Sequence, residues 1–369
     1  MKVNTISLNS VRLNTIALNH IGEIRSGGGA SKPSPIPQWI REHVVFYYDV
    51  KKQGATNETL KESAYLQDLS GKGRRMKLNN FLFAEMSGVG GYNDNFSNWK
   101  TDSNNGVVKI ESDSSIVIQS VKIEYRGVLY QDSAKKATLK CNITGITEEL
   151  KGKLIFRYTD AEGSKNITLE NGYFEFNSSE YEGLSGWYGF TSKQPIDNCN
   201  ITITQIPEYP GALVTDGVND YGLVENLSSG VKMLFMTVNP MVSNIMLYDQ
   251  RFQRDELFQV YSFPNRVAYI LNINNSEMNK QGKVYINGKL NTTIVANDLL
   301  NVKHIVTVTA NDLVTVKKRH VFFNSSVGVA YYAKLAFYNS IAFDSIPTEA
   351  DGFTEQELID YVLTNIIGQ

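Results

Sequence analysis

Short apolar segments separated by turn residues recur along most of the chain. Between Gly106 and Gln205 eight such segments occur, and turn sequences such as DAEG at 160–163 and ENG at 170–172 separate them. Turn residues at intervals of about 8–12 positions are typical of antiparallel β-sandwiches. Long helical periodicity does not occur before the C-terminal end. The pattern predicts an all-β protein with a self-contained β-sandwich at 106–205.

The first 25 residues contain a near-repeat. Residues 4–9 read NTISLN and residues 14–19 read NTIALN, ten positions later. Apolar and polar residues alternate through both copies, which is the period of a strand with one apolar face. A two-stranded ribbon is marginal in water, so this face needs a partner. The pattern predicts an anchoring and oligomerisation arm at 1–25 whose apolar face consists of Ile6, Leu8, Val11, Leu13, Ile16, Leu18, Ile21 and Ile24.

A linker follows the arm at residues 26–37. Its first part, SGGGAS, is flexible because of its glycines, and its second part, KPSPIP, is stiffened by proline into an extended spacer. A spacer of this kind favours an arm that adds its strands to another subunit. The alternative is a hairpin that folds back on its own body.

Two local signals lie in the last third of the chain. Asn287-Gly288 separates two strand-like segments and predicts the type I′ turn of a hairpin. The sequence TEQE at 354–357 is a capping box, with Thr354 as the N-cap. The side chains that follow at helical spacing predict the apolar stripe of a short C-terminal helix: Leu358, Tyr361, Val362 and Ile366.

Charge and composition narrow the classes of protein. The 369 residues carry 36 Lys and Arg against 38 Asp and Glu, a formal net charge of −2, which argues against electrostatic binding to nucleic acid. No apolar run approaches the roughly 18 residues that span a bilayer, and the N-terminus has no signal-peptide pattern. For the two cysteines, Cys141 and Cys199, buried thiols are favoured over a disulfide.

Motifs for catalysis and metal binding are weak. The four histidines do not have a zinc-binding spacing, so no catalytic residue, cofactor or metal site is expected. Asp94, Asp216 and Asp220 are calcium candidates, but Asp beside glycine is mainly turn chemistry. Glu355 and Glu357 are acidic residues in a fold class that includes glycoside hydrolases, but their place at a helix start explains them. The sequence therefore predicts a protein that is not an enzyme.

Aromatic side chains are the remaining binding signal. Trp187 and Tyr188, bracketed by glycine, and Tyr92 with Trp99 are candidate glycan-binding residues, because aromatic rings stack on sugar rings. The alternative is that these side chains fill the core of a sandwich, which is the commoner role of Trp and Tyr.

Several phrases resemble those of laminin-G-like, concanavalin A-type jelly rolls. These are DLSG at 68–71, TDGVNDYG at 215–222, the hairpin YINGK at 285–289, and the segment LAFYN at 335–339 followed by the capped helix. The first two phrases lie some 145 residues apart, further than is usual in the family. The resemblance implies one discontinuous jelly roll at 38–100 and 208–369, interrupted by the inserted sandwich at 106–205.

The order of features along the whole chain is similar to that of virion proteins of tailed phages, crAss-like phages of gut Bacteroides-type bacteria among them. The resemblance rests on the repeated arm, the Gly/Pro linker, MSGVGGY at 86–92, the inserted β domain and the phrase at 215–222. It implies a structural head or tail fibre protein at the virion surface, made in the host cytoplasm. Its partners would be copies of itself, as a dimer or trimer, capsid or tail proteins, and host-surface glycans. A lectin module is the alternative, and a glycoside hydrolase is third.

Overall fold

The computed structural model describes residues 34–135, 138–225, 227, 230–251, 257–262, 265–267, 270–273, 282–310, 319–324 and 332–368. The chain divides into two compact units. The larger unit takes in the described residues of Met1–Phe83, Ser87–Val89 and Gly211–Gln369, and the smaller unit takes in Ala84–Met86 and Gly90–Pro210. The predicted arm and most of the linker lie outside the described residues.

Two helices and four strands of the larger unit precede the smaller unit. The helices are α1 (Pro35–His43) and α2 (Asn57–Ser63). The strands are β1 (Val44–Asp49), β2 (Tyr65–Leu66), β3 (Met76–Asn79) and β4 (Gly88–Val89).

Helix α1 begins where the sequence predicts an extended spacer. Ser34 is the N-cap, and its hydroxyl accepts a hydrogen bond from the backbone N–H of Ile36. Pro35 and Pro37 occupy the first turn, where a backbone N–H has no partner within the helix, so proline starts this helix rather than preventing it. The apolar face of α1 buries Ile36, Trp39 and Ile40.

The smaller unit consists of ten strands and two short 3-10 turns, Phe96–Asn98 and Ser178–Glu180. The strands are β5 (Lys100–Thr101), β6 (Gly106–Ser112), β7 (Ser115–Val121), β8 (Leu129–Asp132), β9 (Thr138–Thr144), β10 (Leu154–Asp160), β11 (Gly163–Thr168), β12 (Gly172–Asn177), β13 (Trp187–Ser192) and β14 (Ile201–Gln205). The pattern of turns predicts seven of these strands. It misses β5, β8 and β13, and the segment that it predicts at 121–125 is not a strand beyond Val121.

The ten strands form two antiparallel five-stranded sheets. The first, which we call the Trp187 sheet, has the order β11-β10-β13-β8-β5, and the second has the order β12-β9-β14-β7-β6. Both sheets contribute to one apolar core, which includes Phe156 and Phe190 from the first sheet and Ile203 from the second. In β9 buried and exposed positions alternate, because one face of the strand covers this core and the other is solvated.

The larger unit continues after the smaller one with eleven strands and a C-terminal helix, α3 (Glu355–Val362), which a π turn at Leu363–Ile367 extends. Short 3-10 turns lie at Ala296–Leu299 and Glu349–Asp351. The strands are β15 (Leu213–Asp216), β16 (Tyr221–Glu225), β17 (Met233–Pro240), β18 (Met246–Arg251), β19 (Leu257–Tyr261), β20 (Ile270–Ile273), β21 (Gly282–Ile286), β22 (Lys289–Leu290), β23 (His304–Ala310), β24 (Arg319–Phe322) and β25 (Lys334–Phe343).

Two antiparallel sheets form the larger unit. The eight-stranded sheet has the order β22-β21-β23-β17-β25-β15-β4, with β1 also paired to β25. The seven-stranded sheet has the order β2-β3-β16-β24-β18-β19-β20. A single core contains side chains of both sheets, among them Phe46 and Leu234 of the eight-stranded sheet and Tyr248 and Phe322 of the seven-stranded sheet.

A second apolar layer covers the outer face of the eight-stranded sheet. There Phe235 and Phe343 pack with Trp39 of α1 and with Leu358 and Val362 of α3. All eight residues of β17 are buried, because this strand has the main core on one face and the helices on the other. A strand buried on both faces appears in the sequence as a continuous apolar run without alternation.

Three predictions from local sequence are confirmed. The protein is mostly β, with several antiparallel sheets and a short C-terminal helix. Asn287 and Gly288, with φ of 50° and 79°, form the turn between β21 and β22. The Thr354 capping box is present at the start of α3, where the Glu357 carboxylate accepts a hydrogen bond from the backbone N–H of Thr354 at 2.7 Å.

Two further findings concern the cysteines and the helices. Cys141 is buried and Cys199 is half-buried, and both are free thiols. Among the described residues, no helix has the length and apolar character required to cross a membrane.

Candidate functional site

Strand β13 of the smaller unit points its residues alternately inward and outward. Tyr188 and Phe190 enter the core, so Trp187 and Gly189 belong to the opposite, outer face of the Trp187 sheet. Gly186 has a φ of 69° and allows the chain to turn into this strand. The sequence WYGF therefore forms a strand that is buried except at Trp187, which is partly exposed on the outer face.

A row of residues crosses the outer face of the Trp187 sheet at Gly189. Asn166 is opposite Arg157, which is opposite Gly189, and Gly189 is opposite Tyr130. A Cβ atom on Gly189 would lie 2.3 Å from the carbonyl oxygen of Leu129, so only glycine fits there. The centre of the row is consequently a buried glycine, with Arg157 on one side and Tyr130 on the other.

Three aromatic side chains surround this centre. The Tyr130 and Trp187 ring centroids are 5.7 Å apart at an interplanar angle of 61°. Tyr125, with a φ of 55° and 39% of its surface exposed, lies in the loop before β8. The Arg157 guanidinium carbon is 5.2 Å from the centroid of the Tyr125 ring. We call Tyr125, Tyr130, Trp187 and Arg157 the aromatic platform.

The aromatic platform has the chemistry of a sugar-binding surface. Tyr and Trp combine a large apolar ring with a polar group at its edge, and the C–H faces of a pyranose stack on such rings. Arg157 and the exposed Asn166 carry hydrogen-bonding groups at the rim of the platform. The platform contains one predicted residue, Trp187. Tyr125, Tyr130 and Arg157 were not predicted as site residues, and the strand that carries Tyr130 was missed.

Two of the four predicted glycan-binding residues lie in the core of the smaller unit. Trp99 and Tyr188 are buried, with ring centroids 5.8 Å apart. The Tyr188 hydroxyl donates a hydrogen bond to the carbonyl of Lys135 at 2.9 Å, and burial raises the pKa of this hydroxyl. Neither ring is accessible to a ligand. These two residues are therefore core side chains, which was the alternative to glycan binding.

Tyr92 lies apart from the other predicted aromatics. It is half-buried, and its backbone N–H donates a hydrogen bond to the carbonyl of Glu85 at 3.0 Å. Among the described residues its ring pairs with none of the other three predicted rings. Tyr92 therefore does not belong to the aromatic platform.

The calcium candidates serve as turn and core residues. Asp94 is buried and accepts hydrogen bonds from the backbone N–H of Asn95 at 2.8 Å and from the Trp99 indole at 3.0 Å. Asp216 accepts one from the backbone N–H of Val218 at 2.7 Å. Among the described residues, no group of three or more His, Cys, Asp or Glu is arranged to hold a metal ion.

Asp220 is the most perturbed of these carboxyl groups. It is fully buried, and its Oδ2 accepts a hydrogen bond from the backbone N–H of Asp216 at 3.0 Å. Its Oδ1 has no hydrogen-bond partner among the described residues. Burial raises the pKa of Asp220 to about 7, although the hydrogen bonds from Asp216 and Ser87 act in the opposite direction. Near neutral pH the Asp220 carboxyl group is therefore partly protonated, and it is buried in the turn between β15 and β16.

The two glutamates at the start of α3 hold the helix. The Glu355 carboxylate accepts hydrogen bonds from the Tyr285 hydroxyl at 2.7 Å and from the Lys283 ammonium at 2.8 Å. Thr309 donates a third at 3.1 Å. Since Glu357 completes the capping box, both carboxylates have structural partners, and they do not face each other across a cleft as a hydrolytic pair would.

Comparison with protein-family models, with curated proteins and with solved structures finds no match for this chain. The fold defines the class, a mostly β protein of two compact units.

Proposed function

We propose that the chain is a non-enzymatic structural protein of a tailed-phage particle, a head or tail fibre. Residues 1–25 anchor it to the capsid or tail, and its two β units are displayed at the virion surface. Copies of the chain associate as a dimer or trimer through the apolar face of the arm. The likeness to crAss-like phage proteins in the order of sequence features supports this proposal.

The observation that carries the proposal is the way the chain enters the larger unit. The ring centroids of Trp39 and Phe343 are 5.4 Å apart, and those of Trp39 and Phe353 are 5.9 Å apart. Helix α1 is thus held by apolar packing on the larger unit. A repeated strand-like arm and a glycine-rich segment precede this fixed point, which is the arrangement a tethered anchor requires.

We also propose that the larger unit is a laminin-G-like, concanavalin A-type jelly roll that the smaller unit interrupts. An eight-stranded and a seven-stranded antiparallel sheet around one core support this assignment. The phrases of the resemblance lie at the turn before β3, between β15 and β16, in the β21–β22 hairpin, and in β25 before α3, and their place at turns and strand ends supports the assignment.

The anchor is tested by matched substitutions in the arm. Ile6→Asp with Ile16→Asp places charge on the apolar face, whereas Ser7→Asp with Ala17→Asp places the same charge on the polar face. We expect the first pair to abolish incorporation of the protein into phage particles, and the second to leave incorporation near normal, as measured by immunoblotting of purified particles. Normal incorporation of the first pair, or of a chain lacking residues 1–25, would overturn the proposal.

The aromatic platform favours glycan adhesion as the role of the displayed surface. Trp187→Ala removes a ring from the platform, and Tyr173→Ala removes an exposed ring elsewhere on the smaller unit. In a glycan array we expect binding to be lost only with Trp187→Ala. Equal binding by both variants would contradict glycan binding by the aromatic platform. It would not affect the proposed anchoring role of residues 1–25.

A further inference from the structure

A groove of about 420 Å³ lies in the larger unit, beside the outer face of the seven-stranded sheet. The residues of its wall that carry the argument are Tyr65, Lys72, Arg74, Arg75, Lys77 and Glu225. Four of these side chains are cationic and one is anionic, although the chain as a whole has a net charge of −2. The volume is within the range of about 300–1,000 Å³ that is typical of small-molecule sites.

A buried aspartate shapes the loop that carries most of the cations. Asp68 Oδ1 accepts hydrogen bonds from the backbone N–H groups of Tyr47 at 3.0 Å and Ser70 at 2.9 Å. Its Oδ2 accepts one from the backbone N–H of Arg74 at 2.9 Å. Gly71 and Gly73, with φ of 78° and 73°, make the turns between these contacts. The loop is therefore ordered before any ligand arrives.

Strand pairing places the remaining residues side by side. Tyr65 of β2 is directly opposite Lys77 of β3, and Lys77 is directly opposite Leu223 of β16. The Arg75 guanidinium carbon is 4.5 Å from the centroid of the Tyr65 ring. The groove thus combines one aromatic ring with cations at its edge.

The exposed cations of this groove have no carboxylate partner in the part of the chain that the structure describes. Among the described residues Lys72, Arg75 and Lys77 form no salt bridge, and neither does Glu225. Arg74 differs, because its guanidinium donates a hydrogen bond to the carbonyl of Val45 at 2.6 Å. Three exposed positive charges around one ring constitute an attractive field for an anion.

We propose that this groove binds an acidic oligosaccharide, whose carboxylate or sulfate groups pair with Lys72, Arg75 and Lys77 while one sugar ring packs against Tyr65. Arg and Lys form their strongest hydrogen bonds with such anionic groups. A short groove with an aromatic wall suits a few sugar residues, whereas nucleic acid requires an extended basic face. The site is separate from the aromatic platform and goes beyond the adhesion proposed there.

The experiment is titration calorimetry of the full chain at low salt. The probes are a galacturonic acid oligomer, a sulfated oligosaccharide of equal length, a neutral glucose oligomer and a single-stranded DNA of similar charge. We expect binding of at least one acidic oligosaccharide, no binding of the neutral one, and weaker binding as salt is raised, because salt screens exposed charges.

Matched variants locate the binding. Lys77→Ala and Arg75→Ala, both at exposed positions, should each weaken binding at least about tenfold, a loss of roughly 1.4 kcal/mol. Lys289→Ala removes the same charge from an exposed position on the eight-stranded sheet and should change the affinity less than about twofold. Trp187→Ala should leave this binding intact, which separates the groove from the aromatic platform.

Four outcomes would overturn the proposal. They are the absence of binding with both acidic oligosaccharides, equal binding of the neutral oligomer, tighter binding of the DNA, and equal losses with Lys289→Ala and Lys77→Ala.

Discussion

Two buried aspartates of the larger unit, Asp68 and Asp220, differ in the hydrogen bonds that their carboxyl groups accept. Asp68 is buried, and its carboxylate shapes a loop by accepting three backbone hydrogen bonds. Asp220 is equally enclosed, yet its Oδ1 lacks a partner among the described residues, and its pKa is raised to about 7. At Asp220 the hydrogen bonds from the Asp216 backbone and from Ser87 lower the pKa, but the cost of burying the charge is larger and raises it.

The protonation of Asp220 predicts a pH-dependent stability. Its pKa rises from 3.8 to about 7 on folding, so between these values the folded protein retains a proton that the unfolded chain has released. The contribution of Asp220 to the free energy of unfolding is therefore fully present below pH 3.8. It falls by up to about 1.4 kcal/mol per pH unit as the pH rises to 7. We expect Asp220→Asn to lack this loss, so the variant should gain on the wild type between pH 5 and pH 7 in urea unfolding.

The comparison with the variant is essential because His320 changes the free energy of unfolding with pH in the direction opposite to Asp220. Burial lowers the pKa of His320 from 6.5 to about 3, so its contribution to stability is lost as pH falls below 6.5. Only the difference between wild type and Asp220→Asn isolates the aspartate. Parallel pH profiles for the two proteins would contradict the assignment.

At the level of single residues, the sequence predicted the candidate site only in part. Trp187 was singled out and lies in the aromatic platform, but Tyr188 and Trp99 are core residues. Gly186 precedes the sequence WYGF and Gly189 lies within it. In the folded chain the second of them is required by the close approach of the neighbouring strand, a constraint that arises only when β8 and β13 pair.

Elements were predicted best where a local rule determines them. The Asn-Gly hairpin and the capping box of α3 depend on neighbouring residues only, and both are present. Helix α1 was missed, because Pro35 and Pro37 favour an extended chain unless they fall in the first turn of a helix. The burial of Ile36 and Trp39 favours the helix over the extended chain, and this burial cannot be recognised from the local sequence.

The capping box of α3 predicts a measurable loss of stability. In Thr354→Ala the backbone N–H of Glu357 loses the hydroxyl that accepts its hydrogen bond at 3.2 Å. We expect the free energy of unfolding of the larger unit to fall by about 0.5–2 kcal/mol, measured by urea denaturation. Thr364→Ala, an exposed position in the π turn after α3, is the control and should be close to neutral. Equal changes in the two variants would show that the cap does not stabilise the helix.

The whole molecule contains two separate cores. The core of the smaller unit is built from its own two sheets, and the core of the larger unit combines segments on either side of the insertion. The periodic turns between 106 and 205 indicated a self-contained sandwich. The larger unit was harder to predict from residues alone, because its partners are far apart in the chain: β1 pairs with β25, with Tyr47 opposite Ile341.

Two separate cores predict two separable unfolding transitions. Phe156 is fully buried in the smaller unit, with ring centroids 4.6 Å from Phe176 and 5.1 Å from Phe190. Phe156→Ala should destabilise the smaller unit by about 3–5 kcal/mol and leave the larger unit unchanged. Calorimetry of the full chain should then show the transition of one unit shifted to lower temperature. A single transition that shifts as a whole would contradict this independence.

The place at which the smaller unit is inserted has an evolutionary consequence. The chain leaves the larger unit after Val89 and returns at Gly211, and Val89 of β4 is directly paired with Leu213 of β15. Departure and return are thus adjacent hydrogen-bonded positions in one sheet, where the side chain of Asn57 also holds Val89 in place. Any domain whose termini lie side by side fits such an insertion point, so one inserted domain can replace another without redesign of the sheet that carries it.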